Sequence, residues 1–563
     1  MPAVVMGWLV VRHWVPLPFW DEWVTGAMLV SWFDGTLTLR ELPAQFNESR
    51  ALVGRLLQLL LIQFGPWDPR KDMALLFVTV CAITLFFFFM MRRTEHVSGR
   101  GAAVAWVGAS FLCFSPVQVD NFIYGALVSS FLSSLALVAA GFVNVSRLSF
   151  STRCVANALL ALVITYTFAN GMLLWVLGLP LLPPNKSLSR RRMVLGYGSY
   201  AFVATAAVAM YFTGYEKPGH HPEVSAGIKN LGNIAHYLVL WIGSYFDAPG
   251  VSPLAAGLTA SGIFGATIVA VVTAMTRTGE WRPFYPGLLL SGYACGTALM
   301  IAVGRVGFGV EQALEIRYRA FSVFFYLAIL ALLVPLYAIR SRWIGGRARI
   351  AFVGSCAAIA LVALVGWGAC YPEGYRYMKL VHSRNLMLLR ALEWIEVIPD
   401  NPDLAYLYPS ADHVLRTSRA LRQYNALRVN FAKPAVARNV RKPPPETMDE
   451  SAGRLETCMI DSNRNLYVTG WAKLPFHGSR ANCVVLAAEQ RSGEFKPVSV
   501  MEAAPVKSKP VGEGKVRRVW FSRSLNTANL PAGDVLLGAW AVDLKKKKVY
   551  PLAGARWITA DQR

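Results

Sequence analysis

Ten stretches of the chain are apolar enough and long enough to cross a bilayer, and that succession leaves few folds open besides a membrane-embedded helical bundle. A span needs about 20 predominantly apolar residues, and the stretches lie near 72–91, 101–117, 122–143, 154–169, 171–183, 194–213, 253–275, 284–304, 320–339 and 350–369. Arginines follow every second one: Arg92 and Arg93, Arg147 with Arg153, Arg190 to Arg192, Arg277 with Arg282, and the group from Arg340 to Arg349. Cytoplasmic loops carry such an excess, so the remaining loops are expected on the exoplasmic side. The alternation holds only if 228–247 does not cross, and that segment reads as a helix lying at the exoplasmic interface. Met1 to Val10 offers about half a span before Arg12 and His13, which brings the expected count to about eleven. A late start codon or a clipped first helix accounts for so short an apolar beginning. A signal peptide fits less well, because no basic n-region and no small-residue cleavage site accompany it.

Composition agrees with lipid solvation: 55% of residues are hydrophobic and only 16% charged, with a mean hydropathy of +0.39. The net charge of +23 does not imply nucleic acid, since the cations sit in short clusters between apolar runs and form no basic stripe with interleaved aromatics. Eight cysteines occur without a CxxC pair, five of them inside apolar runs, which argues against a zinc site. Cys458 and Cys483 fall in a region assigned to the oxidising side, where the two could pair.

Hydropathy collapses after Gly368. The expected organisation is a transmembrane domain over 1–370, a mixed segment over 371–432, a linker over 433–453 rich in Pro, Lys and Arg, and a small β-sandwich over 454–563. Within 376–427 the pattern reads as helix, short strand at 404–408, helix. Alternating segments at 466–472, 483–488, 498–501, 519–521, 535–542 and 549–552 supply the sandwich strands. The lysines at 545–548 read as a solvated hairpin tip.

The first exoplasmic loop, 15–70, is long for a connector. It holds Trp20, Asp21, Glu22 and Trp23 in succession. Indoles anchor loops at headgroup depth, and solvated acids beside them need no function. A carboxylate held between aromatic walls also loses solvation, which raises its pKa and suits it to accept a hydroxyl proton. Further on, Asn47 reads as the N-cap of an amphipathic helix over 51–64. Arg50 then falls in its first turn, where the helix dipole disfavours a cation unless Glu48 or a ligand phosphate sits nearby.

A second polar group follows the span at 284–304: Arg305, Glu311, Glu315, Arg317, Tyr318 and Arg319. Helical spacing pairs Glu315 with Arg319 and leaves Arg317 over at the mouth of a span, where a phosphate headgroup would satisfy it. Gln118, Asp120 and Asn121 in one loop, Asn170 between two spans, and His220 with His221 gather on the same side. Each alone reads equally as a cap or a solvated loop residue, and the adjacent histidines lack the helical spacing of a metal pair.

Trp20-Asp21-Glu22-Trp23, then Asn47-Glu48-x-Arg50, Ser115-Pro-x-Gln118-x-x-Asn121, Phe168-Ala-Asn170-Gly171 and Gly304-Arg305 to Arg317-Tyr318 resemble, in that order, bacterial membrane proteins related to the C-type (GT-C) glycosyltransferases. The resemblance covers roughly 15–340. Val468-Thr-Gly-Trp-Ala472 is similar to a sandwich appended to some envelope glycosyltransferases.

The resemblance implies an inner-membrane enzyme with its C-terminal domain in the periplasm. Its donor would be a polyprenyl-phosphate-linked sugar, its acceptor a glycan or lipid, and its surroundings membrane lipids. Asp21 or Glu22 would act as base and Arg317 would hold the donor phosphate. Trp20, Trp23, Asn47, Glu48, Arg50, Gln118, Asn121, Asn170, His221, Arg305 and Tyr318 would complete the substrate site. Relatives commonly carry His where this chain has Ser49, so that imidazole has no counterpart here. Adjacent acids rarely chelate one hard ion without further oxygens, which leaves a divalent cation open and names no cofactor. A flippase for a lipid-linked glycan, or a non-catalytic assembly subunit, is the competing reading. A flippase predicts midplane charges or internal repeats.

Overall fold

The computed structural model describes residues 1–181, 189–219, 231–432, 434–440, 450–474, 481–489, 494–505, 519–544, 546 and 548–560. Among them, helices of ten residues or more are α1 (Pro2–His13), α2 (Glu22–Phe33), α3 (Leu52–Leu61), α4 (Pro69–Arg93), α5 (Gly99–Cys113), α6 (Val128–Val145), α7 (Phe150–Thr165), α8 (Arg190–Phe212), α9 (Leu231–Gly243), α10 (Pro253–Thr278), α11 (Tyr285–Arg305), α12 (Arg319–Ala338), α13 (Gly346–Glu393) and α14 (Ala411–Gln423). Two compact units divide the chain. The first comprises Met1–Trp14, Thr36–Phe64 and Pro69–Leu380; the second comprises Val15–Gly35, Gly65–Asp68 and Val381–Arg563.

In the first unit the chain is a helical membrane protein. Among the described residues seven helices are long and apolar enough to cross, namely α4, α6, α8, α10, α11, α12 and α13 with their flanking turns, and an eighth arises if α5 and the helix it meets at a 43° bend count as one. That is fewer than the eleven expected. At 16 residues α7 is about 24 Å long, and the described part of the stretch at 171–183, residues 171–181, is broken into a 3-10 turn and the single helical turn Leu174–Leu177. The break has a steric cause: a Cβ at Gly171 would lie 2.2 Å from the Ile164 carbonyl oxygen, because the chain doubles back against the end of α7. At 13 residues α9 spans about 20 Å, short of a hydrocarbon core of about 30 Å.

Close backbone approach and buried polar groups hold this bundle together. Where α9 meets α10, a Cβ on Gly257 would sit 2.0 Å from the Val239 carbonyl oxygen. Deeper in, the Tyr293 hydroxyl lies 3.0 Å from both Ser133 and Ser134 and accepts from the Asn170 amide at 3.0 Å, while that amide also reaches Thr297 at 3.3 Å. At the arginine-rich end of the helices Arg277 donates to the Trp343 carbonyl at 2.7 Å, and Glu280 joins His96 at 2.8 Å to Arg342 at 2.9 Å.

The second unit carries the two larger sheets. The short strands β1 (Gln45–Phe46) and β2 (Ser49–Arg50) belong to the first unit; β3 (Gly453–Ile460), β4 (Asn465–Ala472), β5 (Cys483–Glu489), β6 (Phe495–Glu502), β7 (Ala504–Pro505), β8 (Val519–Asn526), β9 (Gly533–Asp543), β10 (Lys548–Pro551) and β11 (Arg556–Ala560) form two antiparallel sheets. Their orders are β3-β4-β8-β7 and β10-β9-β5-β6, with β11 also on β9. Period-two alternation sends Leu455, Leu466, Val468, Phe521, Leu525, Val484, Leu486 and Leu537 into one core. The other face of the second sheet packs Val485, Val500 and Trp540 under Trp394, Ile398 and Val436.

Three expectations change. Residues 404–408 contain the helical turn Leu404–Leu407 and no strand, and Pro434–Val440 of the expected linker is helical, while 441–449 lie outside the described residues. Cys458 and Cys483 are both free thiols, on strands of different sheets. Of the lysine run, Lys546 and Lys548 sit at the β9–β10 hairpin, where Lys548 pairs with Asp543, and Lys545 and Lys547 lie outside the described residues.

Candidate functional site

In the second unit, the acid pair opens α2. Glu22 is only 6% exposed and its carboxylate accepts the Phe19 amide proton at 2.7 Å, closing the first turn where the helix dipole favours an anion. Trp23 is fully buried, edge-on to Trp67 at 6.2 Å, so it is core and no wall around a reacting carboxylate. Trp20 differs: it is 45% exposed, holds φ at +49° and donates its amide to the Leu407 carbonyl at 2.8 Å. A left-handed conformation is uncommon outside glycine, and here it turns an indole outward. Asp21 stays half-buried beside it, so it is the more accessible carboxylate of the two.

In the first unit, Asn47 and Glu48 form the two-residue turn between β1 and β2, with Gln45 opposite Arg50. Asn47 is no N-cap: its φ is +48°, which Asn tolerates better than most residues, and α3 starts later, behind Ala51. Arg50 therefore meets no dipole of its own helix. It donates to the Tyr211 carbonyl at 3.1 Å and to the Thr213 carbonyl at 2.6 Å, capping the end of α8 where a cation is favoured. Gln45 completes the anchorage, donating to the Glu216 carbonyl at 2.5 Å and accepting its amide at 3.0 Å, and the Ser49 hydroxyl accepts the Ala169 amide at 3.1 Å. An open polar cleft of about 390 Å³ lies beside the turn, lined by Gln45, Asn47, Gly214, Glu216 and Lys217 among others.

The turn presents Glu48 to Arg305 at the end of α11, and the two form a half-buried ion pair. Arg317 lies on the 3-10 turn Ile316–Tyr318. It is 47% exposed, 4.0 Å from Glu315, with its guanidinium 5.3 Å from the centre of the Tyr318 ring. The helical pairing expected for Glu315 and Arg319 does not form, because 3-10 turns replace a helix there. Arg319 is instead buried, donating to the Val117 carbonyl at 3.0 Å and to Asp247 at 2.9 Å. Asp247 is not singled out by its sequence pattern, although it is the lone acid between residues 231 and 279.

The other expected site residues take structural positions. Gln118 donates to the Leu112 and Cys113 carbonyls at 3.2 and 3.3 Å, satisfying the end of α5. Asn121 donates to the Ile316 carbonyl at 3.3 Å, tying that loop to the Arg317 turn, and Asn170 belongs to the Tyr293 network. His221 lies outside the described residues. Among the described residues no three His, Cys, Asp or Glu side chains gather as metal ligands.

Thus the first unit brings together Glu48, Arg305, Arg317, Tyr318 and Asn121 at the helix ends away from the arginine-rich loops, while Trp20 and Asp21 stand in the second. No family model matches the chain, and no curated protein and no solved structure matches it either.

Proposed function

We propose that the protein is a C-type membrane glycosyltransferase that moves a sugar from a polyprenyl-phosphate donor to an envelope glycan or lipid on the periplasmic face of a bacterial inner membrane. The observation that carries this reading is the half-buried Glu48–Arg305 pair with the exposed Arg317, set at the end of the bundle opposite the arginine clusters. That end faces the outer leaflet under the positive-inside rule. Counting α1, α7 and the stretch at 171–183 as crossings brings the total to about eleven, the shorter ones spanning by local bilayer thinning.

In this reading the acceptor hydroxyl gives its proton to a carboxylate as its oxygen attacks the anomeric carbon. The bond from that carbon to the phosphate oxygen breaks through an oxocarbenium-like state, and the lipid phosphate leaves. Attack opposite the phosphate inverts the anomeric centre. The motif order and its accessibility assign proton removal to Asp21, with Glu22 fixing the turn that carries it. A guanidinium offers the leaving phosphate paired, charge-assisted bonds, the role assigned to Arg317. The test is Asp21→Asn in cells, followed by mass spectrometry of envelope glycans and lipid-linked sugars. Loss of one sugar from the glycan and accumulation of its lipid-linked form, at unchanged protein level, is expected; an unchanged glycan overturns the assignment.

A further inference from the structure

The outward face of the β3-β4-β8 sheet lies within the second unit. Alternation buries Leu466, Val468, Phe521 and Leu525 and turns their neighbours outward. The register then sets three rows across the strands. Thr457 lies opposite Thr469, and Thr469 opposite Ser522, giving a line of three hydroxyls. On one side of that line Met459 faces Tyr467, which faces Ser524; on the other the buried Trp471 faces the exposed Trp520. Tyr467 is 43% exposed and Trp520 40%. They flank the hydroxyl line about 13 Å apart along the strands, four residues at about 3.3 Å each. The Tyr467 hydroxyl is bonded to Asp461, which holds that ring in place.

We infer that this face is a binding platform for an uncharged glycan chain. Two exposed rings separated by hydroxyls match a ligand whose pyranose C–H faces stack on aromatics and whose hydroxyls trade bonds with Ser and Thr. Among the described residues, the hydroxyls of Thr457, Thr469, Ser522 and Ser524 make no side-chain bond inside the chain. Charge complementarity selects the same ligand. A solvated sheet face ordinarily carries ions, and here their signs offset: Arg454, opposite Trp471, is matched by Glu450 at 2.8 Å, and the Lys473 ammonium over the Trp471 ring is balanced by the Asp461 carboxylate at Tyr467. On a chain of net charge +23, a patch without net charge is poorly suited to phosphate headgroups, nucleic acid or an acidic protein. The platform is separate from the transferase reading, since it would hold a glycan equally for an assembly subunit.

The experiment uses the full chain in lipid nanodiscs free of sugar detergents, titrated with chitohexaose and dextran oligosaccharides, with polygalacturonate as the acidic counterpart, by calorimetry. Saturable binding of a neutral oligosaccharide is expected. Trp520→Ala should weaken it about tenfold, about 1.4 kcal/mol, and the Thr469→Val, Ser522→Ala double variant several-fold. Both should keep the wild-type unfolding midpoint, because the replaced groups face solvent. Asp21→Asn should bind as wild type whether or not the transferase reading survives. Failure to bind either neutral glycan, wild-type affinity in Trp520→Ala, binding of polygalacturonate alone, or an effect of Trp520→Ala only on self-association would each overturn the platform.

Discussion

Replacing Asp247 by Asn is expected to cost the first unit about 2 kcal/mol, between the about 3–5 kcal/mol for breaking a buried pair and the about 0–1 kcal/mol of an exposed one. The Arg319 side chain is 7% exposed, but Asp247 is 39% exposed at 2.9 Å from it. Water therefore screens one partner and not the other. Asparagine keeps an acceptor for the guanidinium and removes only the charge, so the loss reports the cation left buried. The converse change, Arg319→Met, leaves a carboxylate that water can reach. Its cost is the donor lost by the Val117 carbonyl, about 1–2 kcal/mol. The double variant should then lose less than the sum, with a coupling of about 1–2 kcal/mol. Equilibrium unfolding by SDS titration in mixed micelles, followed by far-ultraviolet circular dichroism on all four proteins, measures the cycle. Additivity within about 0.5 kcal/mol would refute the argument, since Asp247 and Arg319 would then be neighbours without a shared energy.

Three further outcomes follow from other parts of the molecule. Arg317→Gln should lower transfer about a hundredfold, the usual scale for deleting a donor aimed at developing negative charge, with Arg317→Lys recovering part of it; assay of product from radiolabelled lipid-linked sugar reads this. Gly257→Ala should destabilise by at least about 1–3 kcal/mol through overpacking, because its Cβ meets the Val239 backbone, while Gly262→Ala on the same helix, with nothing within 4 Å, is the neutral control in the same unfolding titration. The Asn465 amide, and after it the Asn465 side chain and the Asn463 amide, hold the Asp461 carboxyl below its usual range. A lowered folded pKa contributes stability above the ordinary carboxylate value and loses it as pH falls through the folded one. Acid unfolding should consequently be less steep in Asp461→Asn, as read by the tryptophan fluorescence of the sandwich.

How far the sequence carries depends on whether a signal is periodic or positional. Runs of apolar residues and period-two alternation mark α4, α6, α10, α11, α12 and the sandwich strands, because burial repeats along the element. Hydropathy does not mark where apolarity continues through a backbone reversal: nothing in the hydropathy of 154–183 shows that Gly171 lies against Ile164. The partner of Glu315 differs from the expected one for a related reason. An i,i+4 rule presumes a helix, and the 3-10 turns at 310–318 put Glu315 beside Arg317 and send Arg319 inward. Asn47 shows a third kind of ambiguity, since the short amide that suits an N-cap also tolerates a left-handed turn.

Helix ends explain why the polar loop residues were hardest to sort. Each end leaves up to four backbone groups without an intrahelical partner, and at a membrane-embedded bundle little water reaches them. Polar side chains nearby are therefore taken up as caps, often for a helix distant in sequence. Arg50 serves α8, more than 160 residues away by its bond to Tyr211; Gln118 closes α5; Glu22 closes its own helix. A motif read along the chain counts these residues as site chemistry, because capping a distant carbonyl and holding a ligand phosphate ask for the same donors. What separates the two is reach to solvent. By that criterion Arg317 and the Glu48–Arg305 pair in the first unit, and Asp21 in the second, keep side chains that a substrate could touch.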